Sequence, residues 1–439
     1  MKSKTIKKYK ICVVGAGHVG LVAAACFAKL KHEVICVDTD KQRINNLNSG
    51  KIPFYEPDLQ LLVAKGVKKN LLFSINLPEA VKKSEVIFIA VGTPPLPDGS
   101  ADLTAIGNVA LVIAKNINSY KLVVGKSTVP VWTGKKIKET IYRYRKGKNN
   151  FDVASNPEFL REGKAIYDFF YPDRIVIGVE SPRAEKILKE IYHSLKSKIV
   201  VTDINTAELI KHASNSFLAA KISFINAVSR VCDLAGADVE KLSLAMGMDK
   251  RIGKDFLNAG IGWGGFCFPK DVEAFTYISK KLGYDFKLLK EIKNINEQQG
   301  QYFVDKIKEH LWILKAKKIA ILGLSFKPDT DDLRFAPSIG IIELLVNEGA
   351  NLSLYDPQAM AEAKQLFKES SQIVFASDVY QAAKESDCVC FLTEWDEFKT
   401  IDFKKMKKTM NYPLIADGRN MLDKQKITKL GFEYIGIGR

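Results

Sequence analysis

No stretch of this 439-residue sequence approaches the roughly 18 consecutive apolar residues of a membrane-spanning helix, so none is expected. It has no CxxC pair and no cluster of cysteine and histidine at ligand spacing, and no metal site is predicted. Its seven cysteines are an odd count, and Cys12, Cys36, Cys388 and Cys390 fall inside apolar segments rather than in spaced loops. That pattern excludes a disulfide framework and reads as small buried hydrophobes in a reducing compartment. There are only five histidines, and His18, His193 and His212 lie near apolar residues without a base–nucleophile partner. None is assigned a catalytic role. A basic cluster interleaved with aromatics, the mark of a nucleic-acid-binding module, is also missing.

What is present points elsewhere. The net charge of +16 favours anionic partners. Because lysines are scattered over most predicted helices, a solvated lysine-rich surface and a phosphorylated small-molecule partner both account for it. The length suits two or three domains, and 46% hydrophobic residues beside 26% charged ones supply enough apolar material for packed cores. The start, MKSKTIKKYK before ICVVGAGHVGLVAAACFA, imitates a secretory leader. Gly15, Gly17, His18 and Gly20 interrupt the apolar part, which reads instead as a strand, a turn and a helix. A cytoplasmic protein is expected.

Over the first 200 residues β-branched runs alternate with amphipathic stretches, the pattern of parallel βαβ units. Strands are predicted at 10–14, 33–38, 86–91, 122–126, 152–155, 174–178 and 199–202. From Asn205 to Gln301 the strand signal disappears; Asn205–Gly236 is a long helical pattern without proline, and a later helix has Pro269 in its first turn. Alternation resumes after Lys315, with strands at 318–322, 351–355, 387–392 and 414–417. AAKESDCVCFLTE in the tail echoes AVKKSEVIFIAVG in the head. The predicted fold is therefore α/β, with two doubly wound Rossmann-like domains, 1–203 and 302–439, joined by a central helical segment, 204–301.

Gly15-Ala-Gly17-His-Val19-Gly20 follows a strand and opens an apolar helix, the context a GxGxxG dinucleotide motif requires. The first glycine makes the tight turn, the second admits the pyrophosphate, and the third lets helix and strand approach. Asp38 ends the next strand, where a carboxylate holds a ribose diol and repels a 2′-phosphate, so NAD is the predicted cofactor. Arg43 nearby leaves NADP open. The corresponding turn of the tail, Gly323-Leu-Ser-Phe, lacks the second and third glycines, and the same grip is not expected there.

The most unusual segment is Gly260-Ile-Gly262-Trp-Gly264-Gly265-Phe-Cys267-Phe-Pro269-Lys270-Asp271. Its glycines would let backbone approach a ligand closely. Cys267 is delivered just ahead of a helix start, where the dipole and Lys270 favour thiolate. Composition alone also allows a buried cysteine here, with Asp271 a helix N-terminal acid. Lys211 and Asn215 are spaced i, i+4, as are Glu158 and Glu162 in SNPEFLREG. By spacing alone each pair reads as a surface pair.

Taken together, GAGHVG, GTPPLPDGSADL, STVPV, SNPEFLREG, AELIKHASN, GIGWGGFCFPKD and GLSFKPDTDDLR, in this order along essentially the whole chain, resemble the UDP-glucose/GDP-mannose dehydrogenase family. The resemblance implies an NAD domain, a central helical dimerisation segment and a C-terminal domain for the nucleotide sugar. It casts Cys267 as nucleophile, Lys211 and Asn215 as oxyanion stabilisers, Asp271 as support for the first oxidation, and Glu158 as the base that directs water. Glu162 then touches cofactor and substrate, and Val19, Thr93, Thr128, Lys270 and Arg334 match cofactor-contacting positions. Substrate contacts are implied for Phe159, Leu160 and Arg161, for Phe256, Leu257, Asn258, Ala259 and Gly260, and for Gly264 and Lys327. Arg251 resembles a residue that reaches a neighbouring subunit's substrate, and Arg419 lies in a DGR segment seen near the sugar nucleotide. The implied activity is NAD-dependent four-electron oxidation of UDP-glucose to UDP-glucuronate by a homo-oligomer, at least a dimer, with no nucleic acid and no membrane involved. Sibling activities on GDP-mannose or a UDP-N-acetylhexosamine stay open. Trp263 and Phe266 depart from the family's common loop, GFGGSCFPKD, and Phe266 crowds the position beside the nucleophile, which bears on the sugar that fits.

The chemistry explains why a cysteine is wanted. Oxidising a primary alcohol to an acid removes two hydrides, and the intermediate aldehyde offers no tetrahedral carbon to donate the second. Thiolate addition creates a thiohemiacetal that does, and prevents the aldehyde's escape. The thioester that follows needs a placed water and a base.

Overall fold

The β-branched runs that flank Gly15 become strands because helices cover both faces of the sheets they join. In a computed structural model that describes residues 7–148 and 150–439, the chain packs into two compact units, 1–214 with 273–283 and 215–272 with 284–439. The basic residues 1–6 of the leader-like start lie outside the described residues; the apolar part forms a strand and the helix His18–Lys29. No helix among the described residues is long and apolar enough to cross a membrane.

The first unit holds β1 (Lys10–Val14), β2 (Glu33–Val37), β3 (Leu71–Ser74), β4 (Val86–Ile89), β5 (Lys121–Gly125), β6 (Phe151–Ser155), β7 (Arg174–Val179) and β8 (Lys198–Thr202). They form one sheet in the order β3-β2-β1-β4-β5-β6-β7-β8. Alternation divides its core. Ile11, Val13, Val34, Cys36, Phe88 and Leu122 pack on one side, and Cys12, Val14, Val37, Ile87, Ile89 and Val123 on the other. One expectation needs correction, because β7 runs antiparallel to β6. The connection between them is an irregular loop and a single short helix, Ala165–Phe170, which does not carry the chain back across the sheet.

The second unit holds β9 (Lys318–Leu322), β10 (Asn351–Tyr355), β11 (Ile373–Phe375), β12 (Cys388–Phe391), β13 (Leu414–Asp417) and β14 (Glu433–Ile435). Their order, β11-β10-β9-β12-β13-β14, repeats the head's pattern, and every pair is parallel. The turns correspond too. Gly15 N–H donates to the Val37 carbonyl at 2.7 Å and Gly323 N–H to the Tyr355 carbonyl at 2.8 Å. β3, β11 and β14 leave no clear signal in the sequence because they are short edge strands with little burial pattern.

The strandless middle is helical as expected, with helices Ile204–Ala235, Val239–Gly247, Cys267–Lys281 and Lys287–Leu311.

Candidate functional site

Strand order reverses in the head between β1 and β4, and a doubly wound sheet opens its ligand crevice at the carboxyl ends of such strands. Gly15 follows β1 there with φ +103°, and a Cβ on it would sit 2.5 Å from the Ala90 carbonyl oxygen. A Cβ on Gly20 would meet the Gly15 carbonyl at 1.9 Å, whereas Gly17 faces open space. The three glycines thus divide: two are forced by the protein's own backbone, and the middle one leaves room at the start of the helix His18–Lys29, next to Val19. Asp38 accepts from Ala16 N–H at 2.7 Å and from Arg43 Nη1 at 3.1 Å. Although burial opposes its charge, backbone N–H groups and Arg43 hold its carboxyl below the ordinary carboxylate range. Arg43 also faces Asp40 at 3.7 Å, so its guanidinium is committed to carboxylates. This cradle fits NAD: an open phosphate seat on a helix N-terminus and an ionised carboxylate for the ribose diol. Thr93 Oγ1 donates to the Thr128 carbonyl at 2.9 Å, tying together the turns after β4 and β5.

The loop after β6 corrects the surface reading of Glu158. Glu158 is buried, accepts from Leu160 N–H at 2.6 Å, and lies 3.2 Å from Lys211 Nζ, itself buried. Phe159 is flanked by the Arg174 guanidinium, 3.7 Å from the ring centre, and the Lys211 ammonium at 5.4 Å. Arg161 forks onto Asp168 at 2.9 and 2.5 Å. Glu162 is half-buried, and Glu56 accepts from the Gly163 and Ala165 N–H groups at 2.7 and 2.8 Å, closing the loop's far end. On the long helix, Glu208 accepts from Trp132 and Gly134 N–H, each at 2.7 Å, and one turn on His212 Nε2 contacts the Val129 carbonyl at 2.8 Å. Glu208's carboxyl is pushed up to about 7 because its burial outweighs those N–H bonds.

In the second unit Cys267 is the first residue of the helix Cys267–Lys281, and it alone of the seven cysteines is not buried. Burial pushes the Cys12 thiol up to about 12, and those of Cys26, Cys36, Cys232 and Cys388 are raised as well. One turn into the helix, Asp271 is wholly buried (0% exposed) and accepts from Asn215 Nδ2 and Lys270 Nζ, both at 2.6 Å. Asn215 is therefore no surface residue either. Asp271 binds side chains from two helices and is more than a local N-terminal acid.

The glycine loop also differs from expectation. Residues 260–265 are buried, and their glycines admit the protein's own backbone and side chains. A Cβ on Gly264 would lie 2.2 Å from the Phe335 carbonyl oxygen, and one on Gly265 2.6 Å from the Phe326 ring. Trp263 turns inward, donating from Nε1 to Ser223 Oγ at 3.0 Å. Phe266 stays half-exposed with the Arg334 guanidinium 4.4 Å from its ring centre, while Arg334 also forks onto Asp332. Arg419 donates to the carbonyls of Gly262, Leu392 and Phe326 at 2.8, 2.9 and 3.2 Å, holding three loops together. Lys327 sits 5.5 Å from the Phe326 ring centre. From Phe256 to Gly260, Leu257, Ala259 and Gly260 are buried and Asn258 is exposed. Arg251 is exposed beside Asp249.

Residues 9–196, 205–298 and 320–424 match the NAD binding, central and UDP binding domains of one family. The chain belongs to the UDP-glucose/GDP-mannose dehydrogenase family. It is 44% identical to UDP-glucose 6-dehydrogenase TuaD of Bacillus subtilis (strain 168) over 98% of this chain and 93% of that protein. It is 43% identical to UDP-glucose 6-dehydrogenase of Rhizobium meliloti (strain 1021), over 98% and 99%. Among solved structures, a UDP-glucose dehydrogenase from Pyrobaculum islandicum matches with TM-score 0.92 at 35% identity, covering 100% of this chain and 99% of that one. A UDP-D-ManNAc dehydrogenase from Pyrococcus horikoshii matches with TM-score 0.86 at 27% identity, covering 98% and 99%. Like its family, the chain is an NAD-dependent nucleotide-sugar dehydrogenase.

Sequence reasoning missed Lys126, Asn156, Glu56, Asp168 and Glu208. Lys126 and Asn156 adjoin motifs already noticed, in KSTVPV and SNPEFLREG, but nothing local shows that they are buried.

Proposed function

We propose that this dehydrogenase oxidises the C6 alcohol of UDP-glucose to the carboxylate of UDP-glucuronate, with Cys267 as covalent catalyst. The observation that carries the reading is the contrast among thiols: six buried, and one accessible at a helix start, a turn from the buried Asp271–Asn215–Lys270 cluster. The names of its relatives support the sugar.

Gly15, Gly17, Gly20 and Asp38 would hold NAD, which when bound would supply the acceptor for each hydride. The protein's groups do the rest. Loss of the first hydride, with the hydroxyl proton released to solvent, gives the aldehyde. The Cys267 thiolate adds to its carbon, and the new alkoxide stays ionised and accepts hydrogen bonds. Lys211 and the Asn215 amide stabilise that oxygen, typically worth a few kcal/mol per donor. Loss of the second hydride leaves a thioester. Glu158 takes a proton from the attacking water, the C–S bond breaks, and acid and thiolate separate. Asp271 orients Asn215 and Lys270. Glu162, Thr93, Thr128, Lys270 and Arg334 serve the cofactor, and Phe159–Arg161, Phe256–Gly260, Gly264, Lys327 and Arg419 the sugar nucleotide.

The same reading divides the chain into an NAD segment (1–203), a helical dimerisation segment (204–301) and a nucleotide-sugar segment (302–439), in a cytoplasmic protein. Dimerisation is supported by an apolar stripe on the long helix. Phe217, Phe224 and Val231 recur every seventh residue, and they and Leu234 (89% exposed) are open to solvent. Arg251 then serves the neighbouring protomer's site.

The test is NADH production with UDP-glucose, GDP-mannose and UDP-N-acetylhexosamines side by side. Two NADH per UDP-glucose, with acid formed, is expected. One NADH per sugar would overturn the covalent route, and preference for another sugar would reassign the substrate to a sibling activity.

A further inference from the structure

Lys211 is not the first unit's only buried amine. Lys126, directly after β5, is 4% exposed and has no salt bridge among the described residues. Its Nζ donates to Asn156 Oδ1 at 3.1 Å and faces the Asn156 carbonyl at 3.4 Å. Asn156 is held on every side: its N–H donates to the Gly125 carbonyl at 2.8 Å, its Nδ2 to the Val176 carbonyl at 2.8 Å, and its Oδ1 also accepts from Tyr192 OH at 2.5 Å. Glu158 follows two residues later, after Pro157.

A buried ammonium without an ion pair is expensive, of order several kcal/mol. Burial brings Lys126 down to about 8; the Glu158 charge and the Cys26 thiol oppose that fall, and Lys211 adds to it. The Glu158 carboxylate meets Lys211 from the long helix and the Leu160 N–H, with Arg174 from β7 over the adjacent Phe159 ring. An apolar side chain would fill the Lys126 site at no electrostatic cost, yet the chain keeps an amine there whose hydrogen bonds go to Asn156.

We propose that Lys126 is a positioning residue for the Glu158 base, anchoring the Asn156 segment that carries it. This rests on the reading of Glu158 as the base of thioester hydrolysis. Lys126 acts through Asn156.

The experiment follows thioester decay in single-turnover mixtures of the full-length enzyme with UDP-glucose and NAD, by quenched-flow intact mass. The variants are Lys126→Met, Lys126→Gln and Glu158→Gln. With the anchor lost, Lys126→Met should slow decay about tenfold, while the NADH burst that precedes the thioester is unchanged. Lys126→Gln keeps an N–H donor for Asn156 and should restore most of that loss. A mere packing role would slow burst and decay together and would not separate the two variants. Wild-type decay in Lys126→Met, or a burst slowed as much as the decay, overturns the proposal. Normal thioester decay in Glu158→Gln would instead overturn the reading on which it rests.

Discussion

Lys211 and Glu158, far apart in sequence, place an ammonium 3.2 Å from a carboxylate, with both side chains buried. Removing one partner of such a pair leaves a charge stranded away from water, which costs about 3–5 kcal/mol. Lys211→Met is therefore expected to lower unfolding free energy by about 3 kcal/mol. Glu158→Gln, which strands the lysine near an amide oxygen that still accepts, should cost less. Urea unfolding of the two variants decides it; equal losses would mean that the stranded carboxylate is not the dominant cost.

Cys267 is the accessible thiol. A thiol reagent under native conditions should modify it well before the six buried cysteines, as read by peptide mass. Cys267→Ser should lower acid formation by at least about a thousandfold, as loss of a catalytic nucleophile does, and leave NADH binding intact. Turnover near wild type in that variant would rule out covalent catalysis.

The glycines separate packing from binding. Gly264→Ala drives a methyl into the Phe335 carbonyl, and overpacking of this kind costs about 1–3 kcal/mol. Gly17→Ala meets nothing in the protein. It should melt within a degree or so of wild type while NADH affinity falls about tenfold or more, since the added methyl stands where the pyrophosphate comes closest. Calorimetric melting and fluorescence titration check both; a destabilised Gly17→Ala would contradict the open seat.

Glu208 makes stability depend on pH. Burial raises its carboxyl from the ordinary 4.5 to about 7, so the folded protein holds that proton more tightly than the unfolded chain. The resulting stabilisation is complete below the unfolded value and is lost as pH rises through the folded one. Relative to Glu208→Gln, the wild type should lose about 3 kcal/mol between those two values, because each pH unit separating them is worth roughly 1.4 kcal/mol. A constant difference across that interval would show that Glu208 titrates normally.

Much of this protein is legible before folding is considered. Strand–glycine–helix at Gly15 and the acid at Asp38 encode a dinucleotide turn locally, because φ, helix start and strand end are properties of neighbouring residues. The β9 turn repeats the geometry without the same glycines: Gly323 makes the bend, and Asp356 accepts from Leu324 and Ser325 N–H at 2.7 and 3.1 Å. The antiparallel β7 was not legible, since strand direction depends on where a connection returns and not on the strand's own residues.

The side-chain clusters lie at the opposite extreme. Asp271 sits among Lys270 and Asn215, Glu158 beside Lys211, and Arg419 across three carbonyls, all at separations no periodicity records. Spacing alone made surface pairs of residues of which Glu158, Lys211 and Asn215 are buried, and a flexible approach of what is a packed loop at Gly264. The sequence by itself determined the two sheets, the NAD turn and the identity of the reactive thiol candidate, because those are written in short-range pattern. Only the tertiary structure decided which charges are buried together, because desolvation and pairing depend on what the rest of the chain brings to each group.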